Sequence, residues 1–567
     1  MKTTLTNWEI LGSLKIKKNL EADKLIDLLL KNRKISKNDT SDFLNPNLKK
    51  ISAKSVGINM KELNKSVERI RKAIASKEKI VVYGDYDVDG IAGTAILWES
   101  LRDAGADVMP YIPNRIEEGY GLSVKGIEDL EKTLGRPALI ITVDNGIVAN
   151  DAVFFAKERG IDVIITDHHV PSSALPDAYS IVHTTSLCGA GVAYMLSRAI
   201  SNFPRFAQAS RGEQFSISND SHLELVALAT VADLVPLTQA NRSLLYFGLK
   251  NLRESMRPGL LALFEEAGIK KEEISVYTIG HVIAPRLNAM GRLENAMDSL
   301  RLLCTTDPKR ARLLAIKLGD TNRSRQKLTI DTFMHAKSRV KGNSKKLLFV
   351  KHDSYEQGII GLVAGRLTEE YFLPSIVVSK GKEISRASAR SVSGFNIIEF
   401  IRKASDLLVD AGGHPMAAGF TVKTENLTAL EKKFQKFAEE MLTEELLKRK
   451  LRIDCEIPLR SLNIEVYDSL SKLEPFGMGN PTPVFVSRGL NIYDLRIVGA
   501  DQRHIKIVCS DGEFSIEAMY FNGVEKLRGI KIGDTVDIAY SLVLNEWNGN
   551  KKIELRIKDL IHRGKDH

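Results

Sequence analysis

Ile80-Val81-Val82-Tyr83-Gly84-Asp85-Tyr86-Asp87-Val88-Asp89-Gly90 is the stretch on which the fold of this chain turns. A short β-branched run ending at Gly84 predicts a buried strand that gives way to a loop. Three carboxylates then fall within five residues, Asp85 to Asp89. They repel one another, and stay ionised together at low cost only around a cation. A cation site at the carboxyl end of a buried strand is the arrangement of an open α/β enzyme. An EF-hand loop opens with the same acidic spacing but requires Glu at its twelfth position. Counting from Asp85, the twelfth residue is Ile96 and the ninth is Gly93, and the flanks are a strand and a small-residue helix start.

On both sides of this stretch, strands and helices alternate. Strands are predicted at Ile80–Tyr83, Asp107–Ile112, Ala138–Val143 and Asp162–Thr166, with an extended segment at Ser180–His183. Helices are predicted at Gly90–Arg102, Val124–Leu134 and Asn150–Arg159, and helices take over from Gly191 to about Arg253. Continuous apolar runs between helices indicate a mostly parallel sheet covered on both faces. A polar, basic helix over Pro308–Val340 reads as a connector. A second α/β unit follows, with strands Lys346–Val350 and Ser375–Ser379 and helices Gly358–Glu370 and Ile397–Leu408, the last running into the turn Ala411-Gly412-Gly413-His414-Pro415. From about residue 451, short alternating strands and turns such as Ser510-Asp511-Gly512 and Glu546-Trp547-Asn548-Gly549 indicate a small β-barrel. The expected division is 1–55, an extension packed on the next domain; 56–305, a catalytic α/β domain; 306–340, a connecting helix; 341–450, the second α/β domain; and 451–567, the barrel.

The 567 residues fit three or four domains at about 150 residues each. With 43% hydrophobic and 27% charged residues the composition is that of a soluble globular protein, and the net charge of +10 favours a polyanionic partner. The four cysteines, Cys188, Cys304, Cys455 and Cys509, lie far apart and form neither a thiolate zinc motif nor a disulfide framework. Residues 1–19 do not read as a signal peptide, and no apolar run approaches the roughly 18 residues that span a bilayer. A reduced, cytoplasmic setting without a membrane partner is expected.

The later strands of the first sheet also end in candidate ligands. Ile140–Val143 leads to Asp144, Val163–Thr166 leads to Asp167-His168-His169, and a helical run ends at Asp233. Strand ends of a parallel sheet converge on one edge, where Asp85, Asp87, Asp89, Asp144, His168, His169 and Asp233 can meet. Carboxylates with imidazoles suit Mn²⁺, Mg²⁺ or Zn²⁺ better than Ca²⁺. The acids are numerous for one ion, whereas two ions about 3.5–4 Å apart would engage them all. Singly, each Asp reads as a cap or turn residue and the histidines as one buried and one exposed; their joint placement at strand ends is what points to a metal site.

These motifs, in this order, resemble the DHH phosphoesterase superfamily. Further segments narrow the resemblance to its RecJ-like branch of single-strand-specific 5′→3′ DNA exonucleases. They are Tyr111-Ile-Pro-Asn-Arg115, Gly119-Tyr-Gly-Leu122, Pro285-Arg-Leu-Asn-Ala-Met-Gly-Arg292, Ser388-Ala-Arg390-Ser391, Gly412-Gly-His414 and Phe476-Gly-Met-Gly-Asn-Pro481. The resemblance runs from about residue 40 to 560. It implies a mostly parallel-sheet DHH domain, a DHH-associated α/β domain and a C-terminal oligonucleotide-binding (OB) barrel. It implies Mn²⁺ or Mg²⁺, two ions, held by Asp87, Asp89, Asp144, His168, His169 and Asp233. Asp85, Asp144 and His168 are the expected catalytic residues, with Asp85 ligating or assisting. Arg115, Ser388 and Arg390 fall where the 5′-terminal phosphate is held, and Arg286, Asn288, Arg292 and His414 in motifs that line the cleft. Without the resemblance, Arg390 reads as a surface ion pair, Gly412-Gly413 as a helix C-cap and His414 as a capped turn residue.

In the barrel segment, Tyr493, Phe514, Tyr520, Phe521, Tyr540 and Trp547 lie among Arg488, Arg496, Arg503 and Lys506. Period-2 alternation leaves about half of such aromatics to stack on bases, and Trp547 in its polar turn is the one expected to be exposed. Two positions depart from the family pattern. Tyr355-Glu356 replaces the usual Trp-His before Gly358, and Tyr83 stands where the superfamily often has His. The expectation is a monomeric 5′→3′ exonuclease that degrades single-stranded DNA to 5′-mononucleotides in repair and recombination, served by a helicase and a single-strand-binding protein. A phosphodiesterase acting on short oligonucleotides or cyclic dinucleotides is the alternative. A DNA-binding scaffold with a dead site stands further off, because the ligand residues are intact.

Overall fold

The computed structural model describes residues 7–14, 20–115, 118–119, 121–201, 221–340, 345–527, 529–547 and 550–563. They fall into two compact units, Asn38–Arg325 with Pro475–Pro481, and Met1–Lys37 with Gln326–Glu474 and Thr482–His567.

In the unit containing Asn38–Arg325, five parallel strands lie in the order Val108–Tyr111, Ile80–Gly84, Leu139–Val143, Asp162–Asp167, Ser180–His183. The sheet is therefore doubly wound, and its strand order reverses between Ile80–Gly84 and Leu139–Val143. At such a switch point the connections leave in opposite directions, and a crevice opens at the carboxyl ends of the two strands. Gly84 pairs with Val143, so Asp85 and Asp144 start the two loops side by side. Alternate residues serve opposite cores. Ile80, Val82, Leu139, Ile141, Val143 and Ile164 share one core with the helices Met60–Ala75, Val88–Asp103, Gly189–Ser201 and Leu223–Ala232. Val81, Tyr83, Ile140, Val163 and Ile165 share the other with Val124–Leu134 and Asn150–Glu158. Small residues bring the central helix close to its neighbours: a Cβ on Gly93 would lie 2.5 Å from Val143 Cγ1 and 3.0 Å from Ala190 Cα.

The buried Glu99 of that helix accepts both Arg257 Nη1 and Nη2 at 2.7 Å, and its Oε2 lies 2.9 Å from His222 Nε2. Burial opposes its ionisation, but the hydrogen bonds from Arg257 and His222 outweigh that and hold its pKa down to about 2. A depressed carboxylate pKa contributes stability that is present above the unfolded value of 4.5 and is lost as pH falls towards 2. Glu99→Gln is therefore expected to cost about 3 kcal/mol at neutral pH. The gap from wild type should close between about pH 4.5 and pH 2 in urea melts of the two proteins.

The other unit contains a mixed sheet in the order Leu408–His414, Ala417–Lys423, Ile384–Arg390, Ser375–Ser379, Leu348–His352, in which only the last pair is parallel. Here the segment predicted as a helix running into a Gly-rich turn is different. The helix ends at Arg402, and Leu408–His414 is a strand paired Gly412 to Gly419 and His414 to Ala417. Glycine lowers intrinsic strand propensity, and the pairing with Ala417–Lys423 overrides it.

The barrel strands Phe485–Val498, His504–Ser510, Ser515–Tyr520, Thr535–Trp547 and Asn550–Arg563 close through Phe485–Val498 on Thr535–Trp547. Numbered along the chain, they follow the order 1-2-3-5-4-1, the topology of an OB fold. Of the N-terminal segment, the later part packs on the domain that follows it, Phe43 O accepting Arg242 Nε at 2.6 Å and Ile51 O accepting Arg198 Nη1 at 3.0 Å, whereas the first part belongs to the other unit. Asn7–Ile10 pairs in parallel with Lys450–Ile453, Trp8 Nε1 donates to Asp559 at 2.9 Å, and Asn32 donates to Asp454 at 3.0 Å. The predicted helix over 308–340 is found as Pro308–Val340.

Candidate metal centre

At the switch point, the residue after the first strand is Asp85, 1% exposed, and its Oδ1 accepts no hydrogen bond among the described residues. Asp87 caps the next helix, its Oδ1 accepting the N–H groups of Asp89 at 2.9 Å and Gly90 at 3.1 Å. The Asp89 carboxylate accepts Gly189 N–H at 2.7 Å and Ala190 N–H at 2.6 Å, at the start of the helix Gly189–Ser201. Two helix N-termini thus hold two of the acids, as the helix dipole favours. Asp144 follows the neighbouring strand at φ +63°, a left-handed conformation, and a Cβ on Gly189 would lie 2.5 Å from its own Cβ. His168 Nε2 lies 3.1 Å from Asp144 Oδ1 and 3.7 Å from both Asp89 Oδ2 and Asp233 Oδ2.

The donor atoms fall into three close groups, Asp85-Asp87-Asp144, Asp144-His168-His169 and Asp89-His168-Asp233, each within 4.8 Å. Asp144 and His168 each belong to two groups, so the three form one continuous cluster. Burial, then repulsion from Asp87, raises the Asp85 pKa far above the carboxylate range. The same causes push Asp89 up to about 7, and burial with Asp89 and Asp87 pushes Asp233 up to about 8. Asp144 is raised by burial and by Asp89, Asp87 and Asp85. Buried carboxylates that repel one another, one with an orphaned oxygen, beside imidazole nitrogens, are a donor set that fits Mn²⁺ or Mg²⁺.

Two further residues shape the centre, and sequence reading did not single them out. Asp167 is buried and accepts the N–H groups of Ile147, His168 and His169, with His169 Nδ1 at 2.8 Å. Burial works against its ionisation, but these hydrogen bonds and the His169 charge outweigh it and hold its pKa low. Asp167 thereby sets the His169 ring from behind. Asp167→Asn is expected to weaken metal affinity about 10- to 100-fold, read by Mn²⁺ titration. Asn145 donates to Val143 O at 2.8 Å and to Tyr83 O at 3.3 Å and accepts Leu122 N–H at 3.1 Å, which ties the two switch-point strands together. The signal available in the sequence was adjacency: both residues sit inside the motifs already chosen.

The expected binding residues meet different surroundings. Asn288, expected in a motif lining the cleft, braces the acid loop: its Oδ1 accepts Val88 N–H at 3.0 Å, which satisfies the first donor of the helix. On the same helix, Ala284–Leu293, Gly291 approaches so closely that a Cβ would lie 2.5 Å from Tyr86 O. Arg292 lies in its last turn; burial and then Asp85 push the Tyr86 hydroxyl pKa up, against the charges of Arg115 and Arg292. Arg286 is engaged inside the fold, its Nε donating to Glu266 at 2.7 Å. Arg115 lies over the Tyr86 ring, 5.0 Å from its centroid. Tyr83 is a core residue whose hydroxyl donates to Gly121 O at 3.3 Å, and it faces the core away from the central helix.

In the unit with the mixed sheet, Arg390 Nη1 donates to Ser388 Oγ at 3.2 Å. A Cβ on Gly361, in the first turn of the helix Ile360–Tyr371, would lie 2.9 Å from that oxygen and 3.0 Å from Arg390 Nη2. Strand register places His414, Ala417 and Arg390 in one row and Gly412, Gly419 and Ser388 in the next but one. Tyr355 is buried and its hydroxyl lies 2.9 Å from His335 Nδ1, while Glu356 is exposed.

In the barrel, Tyr520 and Tyr540 are core residues, Tyr493, Phe514 and Phe521 are exposed, and the side chain of Trp547 lies outside those described. Arg488 and Lys506 are held by Glu456, Asp537 and Glu517. Phe521 instead has Arg556 5.2 Å over its ring and His504 edge-on at 5.1 Å.

Three family models match the chain: the DHH family, N-terminal domain, over residues 79–230; the DHHA1 domain over 344–440; and the RecJ OB domain over 453–559. The single-stranded-DNA-specific exonuclease RecJ of Bacillus subtilis is 36% identical over 513 residues, 88% of this chain and 63% of that protein. The protein of the same name from Haemophilus influenzae is 32% identical over 522 residues, 87% of this chain and 90% of that one. Among solved structures, RecJ from Thermus thermophilus in complex with Mn²⁺ superposes with a TM-score of 0.83 at 27% identity, covering 100% of this chain and 81% of that one. The Mg²⁺ complex gives 0.76 at 26% identity, covering 99% and 79%.

Proposed function

The chain belongs to the RecJ family, and on that footing we propose that it hydrolyses single-stranded DNA from the 5′ end, releases 5′-mononucleotides and uses two Mn²⁺ or Mg²⁺ ions. The observation that carries this reading is the continuous donor cluster at the switch point, in which Asp144 and His168 are each shared between groups. Asp85, Asp87, Asp89, Asp144, His168, His169 and Asp233 would hold the ions. Bound there, such ions would supply neutralising charge at the scissile phosphate and favour attack by water.

The chain's own groups do the rest. Asp167 and the helix N-termini fix the ligands in place before substrate arrives. The Arg390–Ser388 pair, beside the start of the helix Ile360–Tyr371, has the charge and the donors to take the 5′-terminal phosphate. Arg115, backed by the Tyr86 ring, is placed to take a phosphate of the strand beside the acid loop. Phe521 with Arg556 and His504 offers the barrel a stacking and cationic contact for a single strand.

No helix among the described residues is long and apolar enough to cross a membrane. A monomer acting in the cytoplasm is proposed, with a helicase to supply single strands and a single-strand-binding protein to keep them open. The test is a time course on 5′- and 3′-labelled single-stranded and blunt duplex DNA, with Mn²⁺ or EDTA. Immediate release of labelled mononucleotide from the 5′-labelled single strand alone, abolished by EDTA, is the expected result. Release from the 3′ label first, or equal attack on duplex, would overturn it.

A further inference from the structure

Arg115 sits in a loop that leaves the strand Val108–Tyr111 and returns at Ser123, the N-cap of the helix Val124–Leu134. Glu118 closes this loop. Its backbone N–H donates to Asn114 O at 2.8 Å, its Oε1 accepts Asn114 N–H at 2.8 Å, and its Oε2 accepts the Tyr111 hydroxyl at 2.8 Å. Burial, then the hydrogen bond to Glu118, raises the Tyr111 pKa above its ordinary 10, so the hydroxyl stays protonated and donates. Both oxygens of the carboxylate are thus engaged within the loop. Among the described residues no ion pair joins Glu118 to Arg115, whose guanidinium instead lies 5.0 Å from the centroid of the Tyr86 ring.

The returning arm of the loop is held from the sheet. Tyr83 pairs with Tyr111 in strand register, and their ring centroids lie 5.3 Å apart. The Tyr83 hydroxyl reaches past the strand end to donate to Gly121 O at 3.3 Å. Gly126, in the first turn of the following helix, makes room for it: a Cβ there would lie 2.3 Å from the Tyr83 hydroxyl oxygen. Position 83, a departure from the superfamily pattern, is therefore fitted to a phenol in this chain. An imidazole is too short to reach the same carbonyl from the same backbone position.

We propose that Glu118 is a positioning residue for Arg115, with Tyr83 its counterpart on the returning arm, and that together they hold the loop in the shape that presents the guanidinium to a strand phosphate. The inference rests on the exonuclease reading and adds to it the groups that make Arg115 a preorganised contact. An arginine on a loop already fixed loses less conformational freedom when it binds. A carboxylate so near a phosphate contact works against it by charge, so the place of Glu118 is explained by the shape it imposes. Glutamine can impose the same shape: its amide oxygen accepts Asn114 N–H and its amide N–H donates to the Tyr111 oxygen.

The test is a double-mutant cycle of Glu118→Ala and Arg115→Gln, with KM and kcat measured on a 5′-phosphorylated oligothymidylate with Mn²⁺ at several salt concentrations. Arg115→Gln is expected to raise KM about 10- to 100-fold. It should also flatten the slope of log KM against log salt by about 0.7, the loss of one phosphate contact on a single strand. Glu118→Ala should raise KM about tenfold with the same flattening, and leave kcat and Mn²⁺ affinity unchanged. In the Arg115→Gln background it should add nothing. Tyr83→Phe, which removes only the hydroxyl, should raise KM about 2- to 10-fold, again only while Arg115 is present. Glu118→Gln should keep the wild-type KM. Penalties that multiply in the double variants, or a Glu118→Gln protein as weak as Glu118→Ala, would overturn the brace. If Arg115→Gln leaves KM and the slope unchanged, the phosphate contact of Arg115 falls and the brace with it. If wild type cleaves no single strand, the exonuclease reading itself fails and takes the inference with it.

Discussion

Asp144→Asn is expected to reduce exonuclease activity by at least about a thousandfold, because it removes charge from two donor groups at once. Asparagine is the informative replacement. It tolerates the left-handed backbone at φ +63°, so the loop is kept and only the charge is lost. Alanine would add backbone strain at the same position and confuse the two effects. The same change should raise the melting temperature of the metal-free protein, by roughly 2 °C for each kcal/mol of repulsion relieved. Burial and the charges of Asp89, Asp87 and Asp85 all disfavour ionised Asp144. Wild type should instead gain more from added Mn²⁺ than the variant does, by ligand linkage. Calorimetry with and without Mn²⁺ reads both effects. A variant that keeps wild-type activity would remove Asp144 from the centre.

Gly90→Ala is the second large expected effect, and its sign opposes helix propensity. Alanine in place of glycine inside a helix normally gains about 1 kcal/mol. Here a Cβ would meet Asp85 N and O at 2.6 Å and Asp85 C at 2.7 Å, all backbone. No side chain can move aside, so the loop carrying Asp85 must shift away from the helix that carries Asp89. Displacing ligands by even part of an ångström should cost about 100-fold in activity or more. Mn²⁺ affinity should fall with it, while circular dichroism shows the folded protein. The glycine that ends the acidic motif is therefore required by the approach of strand end to helix, not by a turn.

Much of this was legible in the chain. The β-branched run before Asp85, and those before Asp144 and Asp167, predict strands whose ends converge, because parallel connections return each strand to the same edge. The acids and imidazoles could be named from that alone. Asn288 and Gly291 could be placed in a motif, but their part in supporting the acid loop depends on how one helix crosses another. Arg286 was placed by its motif among the cleft-lining residues, and only the structure brings it against Glu266, 20 residues away. Leu408–His414 was misjudged because its glycines speak for a turn and its partner strand does not appear in local spacing.

Local periodicity and turn chemistry, which repeat every few residues, are enough to specify the first sheet, the order of the ligand motifs and the barrel. Packing in three dimensions was needed to settle which atoms share an ion group, why Gly90 and Gly189 admit no side chain, and that Asn7–Ile10 pairs with Lys450–Ile453. Those outcomes depend on approaches of a few ångströms between segments distant in the chain. No local pattern encodes such distances, because they are set by the packing of all the elements together.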